Sequence, residues 1–238
     1  MDRIDLDKME IKIRTACPED AGQIRDIYAH YVLHTAITYE YEVPSLEEMR
    51  DRIERTLRKY PYIAAEEKGE ILGYAYAGPF KQRAAYDWSV ETSIYVSKDA
   101  RGRGIGKGLL DSLEEALRRQ NILNANACIA VPGEKEDQYL TFDSVRFHEK
   151  MGYQTVGTFH KCACKFDRWY NMIWMEKMLG GHTVPPAPVV SFPKVVSFYE
   201  NRYGSVNERS SRKKHIAHEK RGSRHFRGCP SFLRGVTI

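Results

Sequence analysis

The sequence predicts an α/β fold with a mixed sheet, and three observations support this prediction. Strand-like and helix-like segments follow one another in the order β-α-α-β-β-β-α-β-α-β-β. A β-rich run over 92–96 leads through four glycines into a helical pattern. The chain has 238 residues, of which 42% are hydrophobic, and this is enough for one domain with a core plus extensions.

Hydrophobic periodicity assigns the elements of the first half. A first strand covers 10–16, where charged and apolar side chains alternate, and a helix follows over 21–34. Ser45 and Glu48 resemble a capping box for a second helix, which ends near Lys59.

The second half continues with a hairpin, a long strand and a helix. Strands are predicted over 62–66 and 70–79, and a longer strand ends at Val96. From Leu109 onward the pattern becomes helical. The remaining elements are strands over 125–131, 153–161 and 170–177 and a short helix over 144–150.

The glycine-rich stretch RGRGIGKG over 101–108 lies between a strand and a helix. Unpaired N–H groups and the helix dipole at such a junction favour a phosphate. The Walker pattern fails because Arg101 replaces its first glycine and Gly108 follows Lys107. The dinucleotide pattern fails because Lys107 and Leu109 take the places of its third glycine. A tight turn without a ligand is the alternative.

The spacing Arg101-x-x-Gly104-x-Gly106 resembles the acyl-CoA pyrophosphate loop of the GCN5-related N-acetyltransferases (GNAT). Four further stretches resemble the phosphinothricin acetyltransferase branch: KQRAAYDWSVETSIYVS, PYIAAEE with GYAYAGPF, SVRFHEKMGY and VPPAPVVSFP. The resemblance covers 11–196. It implies the GNAT fold, a central mixed, largely antiparallel sheet flanked by helices, with acetyl-CoA as co-substrate and no metal.

Two residues are candidates for catalysis. Acetyl transfer to an amine needs a base for the amine proton and an acid for the leaving thiolate. Glu91 begins the central strand near Tyr86 and Trp88, and the resemblance implies that it is the general base. His148 takes the place of a tyrosine that protonates the CoA sulfur in many GNAT enzymes. The alternatives are a structural carboxylate and a structural helical histidine.

The resemblance also implies the binding residues. The residues expected to contact acetyl-CoA are Ile94, Val96, Arg101, Gly102, Arg103, Gly104, Ile105, Gly106, Lys107 and Ser144. The residues expected to surround an acidic amino-acid substrate are Tyr39, Lys81, Arg83 and Tyr86. Arg and Lys suit a carboxylate or phosphinate. A solvated Lys/Arg loop, and an ordinary core position for Tyr39, are the alternatives.

Three departures from the resembled branch bear on substrate choice. Thr141 stands where its helix usually begins with Asn, and the loop over 132–140 is several residues longer. The closing Trp-x-Asp reads Trp169-Tyr170-Asn171, which removes a charge. Methionine sulfone, methionine sulfoximine or another amino acid therefore fits as well as phosphinothricin.

Charge distribution and cysteine content indicate the domain organisation and the cellular compartment. Ten Lys or Arg and three Glu lie from Ser197 onward, so this segment carries +7 and residues 1–196 carry −2 of the net +5. We expect a GNAT domain over 1–196 and a basic, disordered C-terminal tail over 197–238. The five scattered cysteines favour reduced thiols in a cytoplasm, and Cys162-x-Cys164 is a poor metal signal.

The leading hypothesis is an acetyl-CoA-dependent N-acetyltransferase acting on the α-amino group of a small amino-acid-like substrate. Direct attack in a ternary complex is expected, because no cysteine is expected at the position of an acyl-enzyme nucleophile. Alternatives are a GNAT enzyme for a polyamine or a protein N-terminus, and a CoA-binding module without catalysis. A homodimer is implied by the resemblance alone. No signal peptide or membrane span is predicted, and nucleic-acid binding by the tail is not favoured.

Overall fold

The computed structural model describes residues 11–133 and 135–203, with side chains up to residue 197. The predicted strand start at residue 10 and the tail beyond Tyr203 lie outside the described residues. The strands are β1 (Lys12–Thr15), β2 (Tyr62–Glu67), β3 (Glu70–Pro79), β4 (Ser89–Val96), β5 (Asn124–Val131), β6 (Gln154–Lys165) and β7 (Arg168–Met178). The helices are α1 (Ala21–His34), α2 (Leu46–Leu57), α3 (Ile105–Arg119), α4 (Asp143–Lys150) and α5 (Phe192–Tyr203).

The seven strands form one sheet in the order β1-β2-β3-β4-β5-β7-β6. Every neighbouring pair is antiparallel except β4 and β5, which are parallel. The predicted mixed, largely antiparallel sheet flanked by helices is therefore confirmed.

Successive side chains of a strand point to opposite faces, and β2 shows which helices cover each face. Tyr62 and Ala64 pack in a cluster with α1 and α2. Ile63 and Ala65 pack in a second cluster with α3 and Phe192 of α5. We call the first side the α1–α2 face and the second side the α3 face.

Helix α3 begins at Ile105, so the expectation that helical structure starts at Leu109 was wrong. Two of the four glycines lie inside its first turn because neighbours approach closely there. A Cβ on Gly106 would lie 3.4 Å from the Phe147 ring, and one on Gly108 would lie 3.1 Å from Ile13. Those contacts come from distant parts of the chain, and a periodicity pattern does not contain them.

Helix α5 is an element that the periodicity did not predict. It runs from Phe192 to Tyr203 and crosses the expected domain boundary at residue 196. Phe192 is 2% exposed and lies in the α3-face core, so the proline-rich segment before it returns the chain to the folded domain.

Candidate active site

Strands β4 and β5 pair over a short length and then separate. Their parallel ladder joins Ser89–Glu91 to Asn124–Asn126 and goes no further, although both strands continue. The side-chain amide of Asn126 donates to the carbonyl of Val90 at 2.9 Å, and the Thr92 hydroxyl donates to the carbonyl of Asn126 at 3.2 Å. These bonds hold the end of the ladder, and a wedge-shaped gap opens beyond it.

The gap widens into a cleft of about 400 Å³, lined by β4, β5 and α4. Seven of the predicted cofactor-binding and catalytic residues line it: Ile94, Val96, Arg101, Gly102, Gly106, Ser144 and His148. Backbone groups of a separated strand edge lack strand partners, so they are available to a ligand.

The loop between β4 and α3 presents backbone N–H groups to the cleft. Gly102 and Gly104 both have φ of +77°, a left-handed conformation that suits glycine. The first intrahelical bond of α3 runs from the N–H of Gly108 to the carbonyl of Gly104. The amides before Gly108 are therefore free of helix bonds, and the dipole makes this end positive. The arrangement suits a diphosphate.

Three other predicted loop residues point elsewhere. Arg103 forms an ion pair with Glu67 at 2.6 Å, and Lys107 pairs with Asp111 one turn along the helix. The side chain of Ile105 is buried in the α3-face core. Ile105 can therefore offer only its backbone to a ligand.

Tyr31 of α1 forms a wall of the cleft, and the sequence did not single it out. Its hydroxyl donates to the carbonyl of Val96 and accepts from the N–H of Val96 at 3.3 Å. Nη2 of Arg101 also donates to this oxygen, at 3.3 Å. The Tyr31 hydroxyl thus bonds both backbone groups of Val96, the last residue of β4, and holds Arg101 beside the glycine loop.

Glu91 lies at the closed end of the wedge. It is the register partner of Gly78 on β3 and of Asn126 on β5, where the ladder ends. Burial raises the pKa of this carboxyl, and the charge of Lys81 opposes the rise. A half-buried carboxylate with a raised pKa, next in the chain to Thr92 of the cleft wall, suits a general base.

His148 is 5% exposed and lines the cleft from α4. Its Nδ1 lies 2.7 Å from the carbonyl oxygen of Ser144, and because a carbonyl only accepts, Nδ1 carries the proton. Burial lowers the pKa of the ring, and the bond to Ser144 opposes this. The side chain is therefore neutral near pH 7, and its Nε2 is an acceptor.

Glu91 and His148 lie on opposite sides of the sheet. Gly78, the partner of Glu91, is on the α1–α2 side, since it alternates with Tyr74 and Tyr76 along β3. The His148 ring contacts Tyr153, which belongs to the α3-face core. The gap between β4 and β5 is thus the passage from one group to the other.

Cys128 also lines the cleft, a position that the sequence did not indicate. Desolvation, with the charge of Glu91 as a second cause, raises the pKa of this thiol to about 12. A thiol with this pKa stays protonated at neutral pH and is a poor nucleophile.

A groove of about 600 Å³ lies on the same sheet face as Glu91, over β5, β7 and β6. Lys81, Tyr86 and Trp174 line it, and of these Trp174 lies outside the motifs that the sequence offers. The Lys81 ammonium lies 5.0 Å from the centre of the Phe80 ring and 5.7 Å from that of Trp174. The aromatic faces of Phe80 and Trp174 therefore hold the Lys81 ammonium in the groove, where its charge acts on Glu91.

The other two predicted substrate residues lie outside this groove. Arg83 is exposed and is not among the residues that line it. The Tyr39 hydroxyl donates to the carbonyl of Asn171 at 3.0 Å, which ties the α1–α2 loop to β7. Of the four predicted residues, the groove brings together Lys81 and Tyr86.

The long loop before α4 is anchored by Asp137. Its carboxylate accepts from the Tyr170 hydroxyl at 3.0 Å and pairs with Arg168 at 2.9 Å. Thr141, which stands in the place of Asn, lines the cleft and donates to Asp143 at 2.9 Å. Its hydroxyl therefore supports the first turn of α4.

Over 11–133 and 135–203, no group of three or more His, Cys, Asp and Glu side chains is arranged to hold a metal ion. Within the same ranges, no helix has the length and apolar character needed to cross a bilayer.

The fold and the cleft define an acyltransferase of the GNAT type, and sequence comparison agrees. A family model described as "Acetyltransferase (GNAT) domain" matches residues 13–174. The chain belongs to the GNAT acetyltransferase family.

The relatives carry more specific names. The chain is 37% identical over 174 residues to a phosphinothricin N-acetyltransferase of Streptomyces coelicolor, covering 71% of this chain and 97% of the relative. It is 30% identical over 176 residues to an L-methionine sulfoximine/L-methionine sulfone acetyltransferase of Salmonella typhimurium, covering 74% and 98%.

A solved structure agrees with both. It is a GNAT superfamily phosphinothricin acetyltransferase from Sinorhizobium meliloti in complex with acetyl-CoA, with 33% identity and a TM-score of 0.68. The match covers 77% of this chain and 99% of that one. The predicted resemblance to the phosphinothricin and methionine sulfone branch is therefore confirmed.

Proposed function

We propose that this chain transfers the acetyl group of acetyl-CoA to the α-amino group of a small amino-acid-like acceptor, by direct attack in a ternary complex. Phosphinothricin, methionine sulfone and methionine sulfoximine represent the acceptor class. The observation that carries the proposal is the position of Glu91. This carboxylate ends the β4–β5 ladder, with the carrier cleft beyond it and the groove of Lys81 on its own sheet face.

The carrier binds in the cleft between β4 and β5. Amides from Gly102 to Lys107 and the guanidinium of Arg101 bind the diphosphate, and the backbone of Ile94 and Val96 binds the pantetheine arm. The Tyr31 hydroxyl already bonds both backbone groups of Val96, so it yields one of them to the arm. When bound, acetyl-CoA supplies an activated thioester carbon.

Glu91 accepts the proton that the amine loses. An ammonium has no lone pair, so the amine must be neutral when its nitrogen bonds to the acetyl carbon and the carbon–sulfur bond breaks. The raised pKa of Glu91 makes it a stronger base than an ordinary glutamate. Cys128 stays a protonated thiol beside it, which supports direct attack over an acyl-enzyme.

His148 acts as a neutral hydrogen-bond acceptor in this proposal. An acid role needs the imidazolium, which burial disfavours, whereas the bond to Ser144 leaves Nε2 unprotonated. Nε2 of His148 therefore accepts a hydrogen bond from a donor group at the end of the cleft where the thiolate leaves. Solvent supplies the proton to that thiolate. This differs from the donor role that the family resemblance implies.

The acceptor's carboxylate binds near Lys81, with Tyr86 and Trp174 beside it. Arg83 is exposed on the same loop as Lys81, outside the groove, and adds positive charge to that loop. Tyr39 contributes by fixing the α1–α2 loop to β7. Lys81 disfavours a cationic acceptor such as a polyamine, because its own positive charge lies close to Glu91.

The chain forms a homodimer through the exposed surface of the hairpin formed by β6 and β7. Strand β6 is a sheet edge, and this hairpin exposes Val156, Phe159, Trp169 and Met178 by 53–61% of their surface. Exposed apolar side chains beside an unpaired sheet edge favour association with another chain. The cysteines of the described residues are free thiols, which fits a cytoplasmic location.

Release of free CoA thiol from acetyl-CoA tests the proposal. The full chain is assayed with phosphinothricin, methionine sulfone, methionine sulfoximine, spermidine and an N-terminal peptide. Release with the amino-acid acceptors and formation of their N-acetyl products support it. Faster release with spermidine or the peptide would mean that the acceptor is a polyamine or a protein N-terminus. No release with any amine would mean that the chain is a CoA-binding module without catalysis.

A further inference from the structure

A second cavity lies on the α1–α2 face, over β2 and β3, and the proposed chemistry does not use it. Its volume is about 390 Å³, which is large enough for a small ligand. Tyr62, Tyr74 and Tyr76 line it with nearly parallel rings, 10–14° apart, whose centres are 4.9–6.4 Å from one another. Tyr62 and Tyr74 are 2% and 1% exposed, so the half-buried Tyr76 presents most of the accessible ring surface, which suits an apolar or aromatic group.

The rim of this tyrosine cavity is basic. Arg52, Arg55 and Lys59 line it from α2 and the residues after it, and no Asp or Glu is among its described lining residues. Arg52 pairs with Glu40 and Glu48, and Lys59 pairs with Asp87.

Arg55 differs from the other two cations of the rim. Within the described part of the chain its one hydrogen bond runs from Nε to the carbonyl of Asp51, at 3.3 Å. Its terminal nitrogens can therefore bind an anion at the mouth of the cavity.

Gly78 connects the tyrosine cavity to Glu91. It lines the cavity, and it is the register partner of Glu91 on the neighbouring strand. Partners in an antiparallel pair lie about 5 Å apart with side chains on the same face. A Cβ on Gly78 would meet nothing within 4 Å, so the missing side chain leaves an open passage.

The sheet order puts this cavity and the Lys81 groove on opposite sides of Glu91. The cavity lies over β2 and β3, Glu91 is on β4, and the groove lies over β5, β7 and β6. An amino acid whose amine is at Glu91 and whose carboxylate is at Lys81 would direct its side chain across Gly78.

We propose that the tyrosine cavity receives the acceptor's side chain and that Gly78 is the residue that admits it. The preferred acceptors are amino acids with an apolar or aromatic side chain that ends in an anion, the rings binding the body and Arg55 the end. This inference rests on the proposed function, whose acceptor it specifies.

A series of acceptors tests the side-chain site in the wild-type chain. Alanine has no side chain to fill the cavity, phenylalanine supplies a ring, and 4-carboxyphenylalanine supplies a ring with an anion. We expect kcat/KM to rise by about tenfold or more from alanine to phenylalanine, and again to 4-carboxyphenylalanine. Equal values for all three, or a preference for alanine, would overturn the proposal.

Gly78→Val blocks the passage and should still fold, because a Cβ at Gly78 meets nothing within 4 Å and the φ of Gly78 is not left-handed. We expect kcat/KM for both aromatic acceptors to fall about tenfold or more, while alanine changes by less than about threefold. Equal loss for all acceptors, or no loss for any, contradicts the assignment.

Arg55→Gln tests the rim. It should reduce kcat/KM for 4-carboxyphenylalanine by about fivefold or more and leave phenylalanine unchanged, because only the former presents an anion. Loss for both acceptors, or for neither, removes Arg55 from the proposal.

A direct binding measurement separates this inference from the proposed function. If no amine is acetylated, the proposed function fails, and calorimetric titration with 4-carboxyphenylalanine still decides the cavity. Binding to the wild type that is lost in Gly78→Val supports it. No binding to the wild type, or unchanged binding to the variant, overturns it.

Discussion

At the residue scale, two ionisable groups on opposite faces of the sheet have opposite pKa shifts. Burial raises the pKa of Glu91 and lowers that of His148. Glu91 is therefore an anion only above its raised pKa, and His148 is neutral at every pH above its lowered pKa. The cleft is therefore suited to accepting one proton at Glu91.

The pH dependence of kcat follows from these shifts. With saturating acceptor, kcat should fall as pH is lowered through a value above about 4.3, the ordinary pKa of a glutamate, because the base must be ionised. Because neutral His148 is the active form, kcat should not decline between about pH 6.5 and 8.

Initial rates across this range check that profile in the wild-type chain. A kcat that stays constant into strong acid would contradict the base role of Glu91. A decline near neutral pH that His148→Ala abolishes would restore the histidine as proton donor.

The sequence identified seven of the residues that line the cleft, and Glu91 at the end of the β4–β5 ladder beside it. Glu91, His148 and the glycine loop follow from motif positions along the chain. Tyr31 and Trp174 did not stand out, because their roles depend on contacts with residues far away in sequence. The sequence did contain a signal for Asn126, because it is a polar residue within a buried apolar strand.

At the element scale, a buried ion network fixes the start of the fold. Arg14 of β1 donates two hydrogen bonds to Asp20, at 2.6 and 2.8 Å, and one to Glu66 of β2 at 2.7 Å. Burial alone would raise the pKa of Asp20, but the bonds and charge of Arg14 lower it overall. The network therefore connects β1, β2 and the turn before α1.

Arg14→Met should lower the free energy of unfolding by about 3–5 kcal/mol at neutral pH, because it removes the guanidinium from two buried carboxylates. The pKa of Asp20 is lowered by folding, so its contribution is present above its ordinary pKa and is lost as pH falls through the lowered value. The difference in the free energy of unfolding between the variant and the wild type should therefore become smaller at acidic pH.

Urea unfolding of both proteins at two pH values measures this difference. Asp111→Asn, which removes an exposed ion pair with Lys107, is the control and should cost less than about 1 kcal/mol. Equal effects of the two substitutions would mean that the buried network contributes no more than a surface pair.

The limits of periodicity are clearest in two elements. Helix α1 has the bounds that were predicted, because its apolar positions recur regularly. The hairpin between β6 and β7 turns through Phe166 and Asp167, which both have positive φ, and neither is a glycine or asparagine that would signal a turn. Register and tertiary contacts determine such a turn, so both strands extend further than predicted.

At the scale of the whole molecule, the exposed hairpin should mediate self-association. Sedimentation of the wild type is expected to give a dimer, and Trp169→Glu should give a monomer because it places a charge among the exposed apolar side chains of this hairpin. Glu70→Gln, at the distant end of β3, is the matched control and should leave the dimer intact. A monomeric wild type would contradict the proposed interface.

The basic tail should be dispensable for catalysis. Removal of 204–238 is expected to leave kcat and the KM for acetyl-CoA within about twofold, because the segment has few aliphatic residues for a core. Truncation before Phe192 should instead destabilise the domain, since that side chain is 2% exposed. Steady-state kinetics and thermal unfolding of the two truncated chains distinguish these outcomes.

The central claim is that the β4–β5 cleft binds acetyl-CoA and directs it toward Glu91. Glu91→Gln tests it most directly when acetyl-CoA binding and turnover are measured on the same sample. We expect the variant to bind acetyl-CoA with a dissociation constant within about threefold of wild type and to have a kcat at least about a hundredfold lower at pH 7.5. Unchanged turnover, or no heat of acetyl-CoA binding in either protein, would contradict it.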